Sequence, residues 1–145
     1  MIPVKIKLID RFARVPTYAT DGAACFDISA NEDCTLSPGG SVSVSTGLSV
    51  AVPSGHALLI YSRSGHAVKY NVRLTNCVGV IDSDYRGEVR VLLTNDSNTE
   101  RLVIKRGDRI AQGMIVNTPA VGFDVVDNLP DTARGCGGFG STGNV

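Results

Sequence analysis

Tryptophan is absent from the 145 residues, aromatic side chains make up 6 %, and there are only two histidines and two methionines. The two histidines, His56 and His66, have no third ligand partner nearby in sequence, so both read as residues that hold no metal. Charge of one sign is also missing. Fourteen basic residues balance fourteen acidic ones, which leaves no chain-wide basic field for stable nucleic-acid binding and no acidic tail. A local phosphate site remains compatible with that balance. No apolar run approaches the roughly 18 residues that span a bilayer, and the opening MIPVKIKLID lacks the apolar stretch and cleavage site of a secretory signal. The expectation is a protein that is not secreted, has no membrane partner and resides in the cytoplasm or another cell interior. The four cysteines, Cys25, Cys34, Cys77 and Cys136, form no C-x-x-C pair. A chain of this mass forms one domain with roughly 7,100 Å² of exposed surface, and does not need disulfides to fold. The cysteines therefore read as reduced thiols, each a small buried hydrophobe by default.

What the chain does contain is valine, glycine and proline in the mixture that suits short strands joined by tight turns. Val4, Ile6 and Leu8 alternate with Lys5 and Lys7. Val42, Val44 and Thr46 alternate with serines, and Leu48, Val50 and Val52 continue beyond Gly47. Ala57 to Tyr61 is a continuous apolar run, as in a strand covered on both faces. Runs over 72–80, 88–93, 102–104 and 110–116 complete the set. Turn signals fall at Pro38-Gly39-Gly40, Pro53-Ser54-Gly55, Asn95 to Asn98 and Arg106-Gly107-Asp108. Strands at such spacing indicate an all-β sandwich or barrel. Only Ser64–Tyr70 reads as helix, one or two turns capped by Ser64. Beyond about Asp127 the hydrophobic pattern stops. The expected organisation is a β-barrel domain over 1–126 and a flexible, glycine-rich C-terminal arm over 127–145.

Gly135-Cys136-Gly137-Gly138-Phe139-Gly140 matches G-x-G-x-x-G. A dinucleotide fingerprint also needs a strand before it, a helix after it and an acid about 20 residues on, and none of that context exists here. The glycines still allow backbone N–H groups to approach phosphate. Arg134 adds a forked cation, Ser141 and Thr142 add hydroxyls, and Phe139 adds a flat apolar face. The segment reads either as a nucleotide lid or as a plain glycine-rich tail. Asp82, in Asn76 to Gly87, is either a solvated turn residue or a general base held near a water. Ser62-Arg63-Ser64-Gly65 is an anion site or a helix cap with a surface cation. Gly107 to Gln112 is a phosphate contact or a hairpin. Asp27, between Phe26 and Ile28, needs a hydrogen bond, a cation or a metal-bound water.

These five clusters, in this order, resemble the five motifs of the trimeric dUTPases, the deoxyuridine 5′-triphosphate nucleotidohydrolases. The matching segments are Gly22 to Ile28, Arg63 to Gly65 with Ala67 and Lys69, Asn76 to Gly87, Gly107 to Gln112, and Arg134 to Gly143. The resemblance implies a distorted jelly-roll β-barrel with one short helix, assembled as a homotrimer whose active sites are shared between chains. It implies hydrolysis of dUTP to dUMP and pyrophosphate with Mg²⁺ on the triphosphate. That reaction limits uracil in DNA and supplies dUMP for thymidylate synthesis. By motif position, Asp82 deprotonates the attacking water and Tyr85 packs under the deoxyribose. Asn76, Gly79, Val80 and Ile81 read uracil. Arg63, Ser64, Gly65 and Gln112 bind phosphates, and Asp27 holds the hydrated Mg²⁺ indirectly. Arg134 meets the γ-phosphate, Phe139 stacks on uracil, and Gly140, Ser141 and Thr142 belong to the closing arm. One departure stands out: Ser62 replaces the usual proline, which is expected to loosen the strand exit. Two other readings are a dCTP deaminase relative, which needs a glutamate near the pyrimidine, and a regulatory or binding module on the same fold. A regulatory protein partner of unknown identity is compatible with either.

Overall fold

Strands form where the alternation and the β-branched residues coincide. The computed structural model describes residues 1–143, so Asn144 and Val145, the end of the expected arm, lie outside the described residues. In chain order the elements are β1 (Lys5–Leu8), β2 (Thr17–Tyr18), β3 (Phe26–Ser29), β4 (Cys34–Leu36), β5 (Ser41–Ala51), β6 (His56–Tyr61), α1 (Ser64–Tyr70), β7 (Val72–Leu74), β8 (Val78–Ile81), β9 (Val89–Asn95), β10 (Leu102–Ile104) and β11 (Arg109–Asn117). One sheet runs β1-β5-β9-β7, the second β2-β3-β11-β6-β8, and β10 pairs with β4. Every pairing is antiparallel. The inner faces bury Ile28, Val44, Leu58, Ile60, Val91, Leu93 and Ile110 in one core. This is the all-β, jelly-roll-like barrel with a single short helix that the sequence predicts.

The period of two places these residues. In β9, Val89, Val91 and Leu93 point inward while Arg90, Leu92 and Thr94 point out. The next inward position holds a polar residue, Asn95, which is completely buried. Its amide donates to the Leu36 carbonyl at 3.2 Å and the Glu100 carbonyl at 2.7 Å. Its Oδ1 accepts the Ser97 N–H at 3.0 Å. A buried polar side chain is tolerated only when satisfied in this way. Asn95→Ala strands those backbone groups, so we expect a loss of about 2–4 kcal/mol in urea unfolding.

Several local expectations are corrected. The run 72–80 is two strands, not one. β7 joins one sheet through β9 and β8 joins the other through β6. The chain changes sheets at Thr75-Asn76-Cys77, where Cys77 takes φ 61. The N-cap position of α1 belongs to Arg63, with no side-chain cap, and Ser64 is already helical. Leu8 is 44 % exposed, whereas Val4 and Ile6, which alternate with the same lysines, are half-buried. β5 carries a bulge between Ser45 and Leu48, with Gly47 at φ 67. A Cβ at Gly47 would come within 2.7 Å of Ala13 and 2.9 Å of the Asn31 amide, so the bulge needs glycine. All four cysteines are free, but Cys77 and Cys136 are exposed and Cys25 and Cys34 only half-buried. The buried-hydrophobe reading fails at the exposed pair. No helix among the described residues is long and apolar enough to cross a membrane.

Candidate active site

The antiparallel ladder brings three of the five clusters together. In β11, Gln112 lies opposite Asp27 of β3 on one side and Tyr61 of β6 on the other. Two residues beyond Tyr61, Arg63 turns back to this end of the sheet. Its Nη1 donates to the Arg109 carbonyl at 3.0 Å, and its Nε lies 3.5 Å from Asp27 Oδ1. Arg109 Nη1 donates to Asp27 Oδ2 at 2.9 Å. Asp27, whose side chain is 15 % exposed, thus has the partner that its apolar neighbours demanded, and that partner is a pair of guanidiniums. Ser64 and Gly65 follow on the exposed first turn of α1. Arg14, Asp27, Asp108 and Arg109 line an open cleft of about 390 Å³ beside them.

His66 lines an adjoining cleft with Arg63 and Arg109. Its Nδ1 is buried without a partner among the described residues. Burial, and then the Arg63 charge, hold its pKa below the ordinary histidine value, with Asp108 opposing. It is therefore neutral at pH 7. No cluster of three metal-ligating side chains exists among the described residues.

Ser62, which stands where the family usually has proline, makes its own contact. Its Oγ accepts the Leu74 N–H at 2.8 Å. The hydroxyl ties the exit of β6 to β7 in the other sheet, so the strand exit is pinned where proline would have offered no such acceptor.

Asn76, Gly79, Val80 and Ile81 also come together. They line a slot of about 80 Å³ between β8 and β9, with Leu74 and Leu92 among its walls. β8 is an edge strand, so one row of its backbone N–H and C=O groups is free of ladder bonds. Asp82 directly follows β8 and is exposed. Its carbonyl accepts the Tyr85 N–H at 3.2 Å, closing a tight turn, while its carboxylate takes no hydrogen bond among the described residues. Arg86 Nη1 stiffens this turn by donating to the Ser83 and Tyr85 carbonyls at 2.7 and 2.8 Å.

The two groups do not meet within one chain. Ile81 pairs with Leu58, and Val78 pairs with Tyr61. Asp82 therefore sits at the His56 end of β6, and Arg63, Asp27 and Gln112 sit at its Tyr61 end. Asp82 follows Ile81 and so lies level with Ala57, and Gln112 and Asp27 lie level with Tyr61, about 13 Å further along the strand.

The arm makes a third group. Residues 118–143 contain no strand or helix and are nearly all exposed. Arg134 Nε donates to the Gly137 carbonyl at 2.8 Å, and a string of turns follows through Gly140, Ser141 and Thr142 to Gly143. Phe139 projects entirely into solvent at φ 47. Among the described residues no strand or helix adjoins the G-x-G-x-x-G segment.

A family model for dUTPase matches residues 11–143. The chain belongs to the dUTPase family. Among curated dUTPases, a deoxyuridine 5′-triphosphate nucleotidohydrolase of Desulfitobacterium hafniense is 46 % identical over 147 residues, covering 98 % of this chain and 97 % of that one. One from Caulobacter vibrioides is 49 % identical over 133 residues, covering 89 % and 85 %. Among solved structures, the dUTPase of Staphylococcus bacteriophage 80alpha with dUPNHPP superposes at TM-score 0.87 with 27 % identity, covering 97 % of this chain and 98 % of that one. The fold is shared with the D95N mutant dUTPase from phage phi11 of S. aureus, whose structure reveals the molecular details for the coordination of a structural Mg(II) ion (TM-score 0.81, 22 % identity, covering 87 % and 97 %).

Sequence reasoning gave no role to Arg109, Gly87 or Glu88. The unmet need of Asp27 for a cation was a usable signal for Arg109, but the register that delivers it was not legible. Glu88 faces β5. It accepts the Gly47 N–H at 2.9 Å and pairs with Arg90 at 2.9 Å. A dCTP deaminase needs a glutamate at the pyrimidine, and Glu88 is committed elsewhere.

Proposed function

We propose that this dUTPase-family protein hydrolyses dUTP to dUMP and pyrophosphate in sites shared between chains of a homotrimer. The observation that carries this reading is the separation just described. A general base acts only within hydrogen-bond reach, directly or through one water. Asp82 and the Asp27–Gln112 level that Arg63 turns back to stand about 13 Å apart along β6, well beyond hydrogen-bond reach, so in this reading one substrate meets both when they come from different chains. The accessible surface points the same way. It is 9883 Å², against roughly 7,100 Å² for a compact monomer of this mass. Much of the excess is apolar: Val121, Phe123, Val125 and Leu129 all stand 70 % or more exposed. The segment from 127 onward is then an arm that closes over a neighbouring subunit.

In the proposed mechanism the free edge of β8 reads uracil. Its N3–H and O4 pair with a backbone carbonyl and amide, and cytosine, with the reverse pattern, leaves those groups unpaired. Tyr85 lies under the deoxyribose. Asp82 orients the water and takes its proton as the oxygen attacks the α-phosphorus. Arg63, Ser64, Gly65 and Gln112 hold the phosphate chain. Asp27 keeps Arg63 in place, and with both its oxygens facing guanidiniums it would hold a hydrated Mg²⁺ only through water. That arrangement suits Mg²⁺, which retains waters and binds largely through substrate phosphates. When bound, the ion would supply charge neutralisation on the triphosphate. The arm then closes: Arg134 on the γ-phosphate, Phe139 on uracil, and the Gly140, Ser141 and Thr142 segment around the phosphates. Closure excludes water and strengthens each polar contact.

The test is pyrophosphate release from dUTP, UTP, dCTP and dTTP, with Mg²⁺ and then with chelator. Mg²⁺-dependent release from dUTP alone is expected. Ammonia release from dCTP rejects the proposal in favour of a deaminase, and nucleotide binding without turnover rejects it in favour of a binding module.

A further inference from the structure

Tyr85 is held in place by two residues to which no function has been given. Its hydroxyl donates to the Glu88 carbonyl at 3.0 Å. The ring folds back over Gly87 so closely that a Cβ there would lie 2.3 Å from the Tyr85 hydroxyl oxygen and 2.5 Å from Cζ. Heavy atoms do not approach to such distances without displacement, so only glycine leaves room for this pose. The carbonyl that Tyr85 reads is itself immobilised. The Glu88 carboxylate accepts from the Ser45 hydroxyl and from the Gly47 N–H in the β5 bulge, and pairs with Arg90. Thr46 Oγ1 donates to the Val89 carbonyl next in line. The bulge therefore grips the residue after Gly87, and Gly87 and Glu88 together fix the ring.

Burial alone raises the Glu88 carboxyl, but its bonds to Ser45, Gly47 and Arg90 outweigh this and leave it below the usual glutamate range. The side chain is thus ionised at neutral pH, as the clamp requires.

We propose that Gly87 and Glu88 are specificity-determining positioning residues: they seat the Tyr85 ring at the height that admits a deoxyribose and rejects a ribose. The inference rests on the dUTP reading above and deepens it. A ring free to tilt or drop opens space for a 2′-hydroxyl, so loosening the seat raises the use of UTP more than it harms dUTP. A general structural lesion lowers both substrates alike and leaves their ratio untouched.

The experiment measures kcat/KM for dUTP and UTP, with Tm, in the wild type, Gly87→Ala, Glu88→Gln and Tyr85→Phe. Asp96→Ala, which breaks the exposed Arg73–Asp96 pair, serves as a stability-only control. The dUTP:UTP ratio is expected to fall about tenfold in Gly87→Ala and about threefold in Glu88→Gln and in Tyr85→Phe. It should be unchanged in Asp96→Ala. If Gly87→Ala does not fold, the other two variants decide. A wild type that discriminates, with Glu88→Gln and Tyr85→Phe equally selective, overturns the seat and leaves the dUTP reading intact. A wild type that releases no pyrophosphate from dUTP overturns both.

Discussion

Asp82→Asn is expected to retain binding of a non-hydrolysable dUTP analogue while kcat falls about 10³-fold. The side chain is isosteric but cannot accept the proton of the attacking water. Its surroundings favour a clean result. The backbone is fixed on both sides, by the β8–β6 ladder before Asp82 and by the Tyr85 N–H and Arg86 bonds after it. The carboxylate itself supports no hydrogen bond among the described residues, so removing its charge leaves no buried partner stranded and Tm should hold. Single-turnover release of pyrophosphate, together with analogue titration, checks both halves. Near-normal turnover rejects Asp82 as the base. A parallel loss of binding assigns it to substrate affinity instead.

Much of this architecture was legible because the period of two is strict. In β9 the alternation of valine and leucine with Arg90, Leu92 and Thr94 sets the inward face, whereas the unbroken apolar run of β6 suggested cover on both faces, and there Leu58 and Ile60 join the core while Leu59 and Tyr61 are half-buried. Asn95 broke the reading, since a polar residue in an inward place is intelligible only once Leu36, Ser97 and Glu100 surround it. The change of sheets at Thr75-Asn76-Cys77 was hidden because apolar residues continue on both sides of it. Long-range partners were the least legible. Nothing local to Asp27 names Arg109, 82 positions away, and nothing local to Ser62 names the Leu74 amide. The motif residues could be chosen from the sequence through their likeness to a family. The distance that splits them into separate groups came only from the register of β6 with β8 and β11.

That split makes the arm the decisive element. Its exposed Phe139 gains roughly 1.5–3 kcal/mol if it finds an apolar face, and Arg134 brings the segment's one guanidinium. Deleting the chain from Arg134 onward should leave the assembly at its native mass by light scattering. Activity should fall more than about 10²-fold, from lost charge stabilisation and water exclusion. If the assembly falls apart instead, the arm is an interface element rather than a lid. Mixing the truncated protein with Asp82→Asn separates shared from private sites. Each preparation alone is nearly inactive. If Asp82 and the arm of one site belong to different chains, random reassembly of equal amounts restores about a quarter of the sites, because the truncated chain supplies Asp82 and the full-length chain supplies the arm. If both come from one chain, no combination regenerates a complete site and mixing restores nothing. On the proposed reading Asp82 and the phosphate-binding residues, about 13 Å apart along β6, come from different chains. Recovery after mixing extends that sharing to the arm.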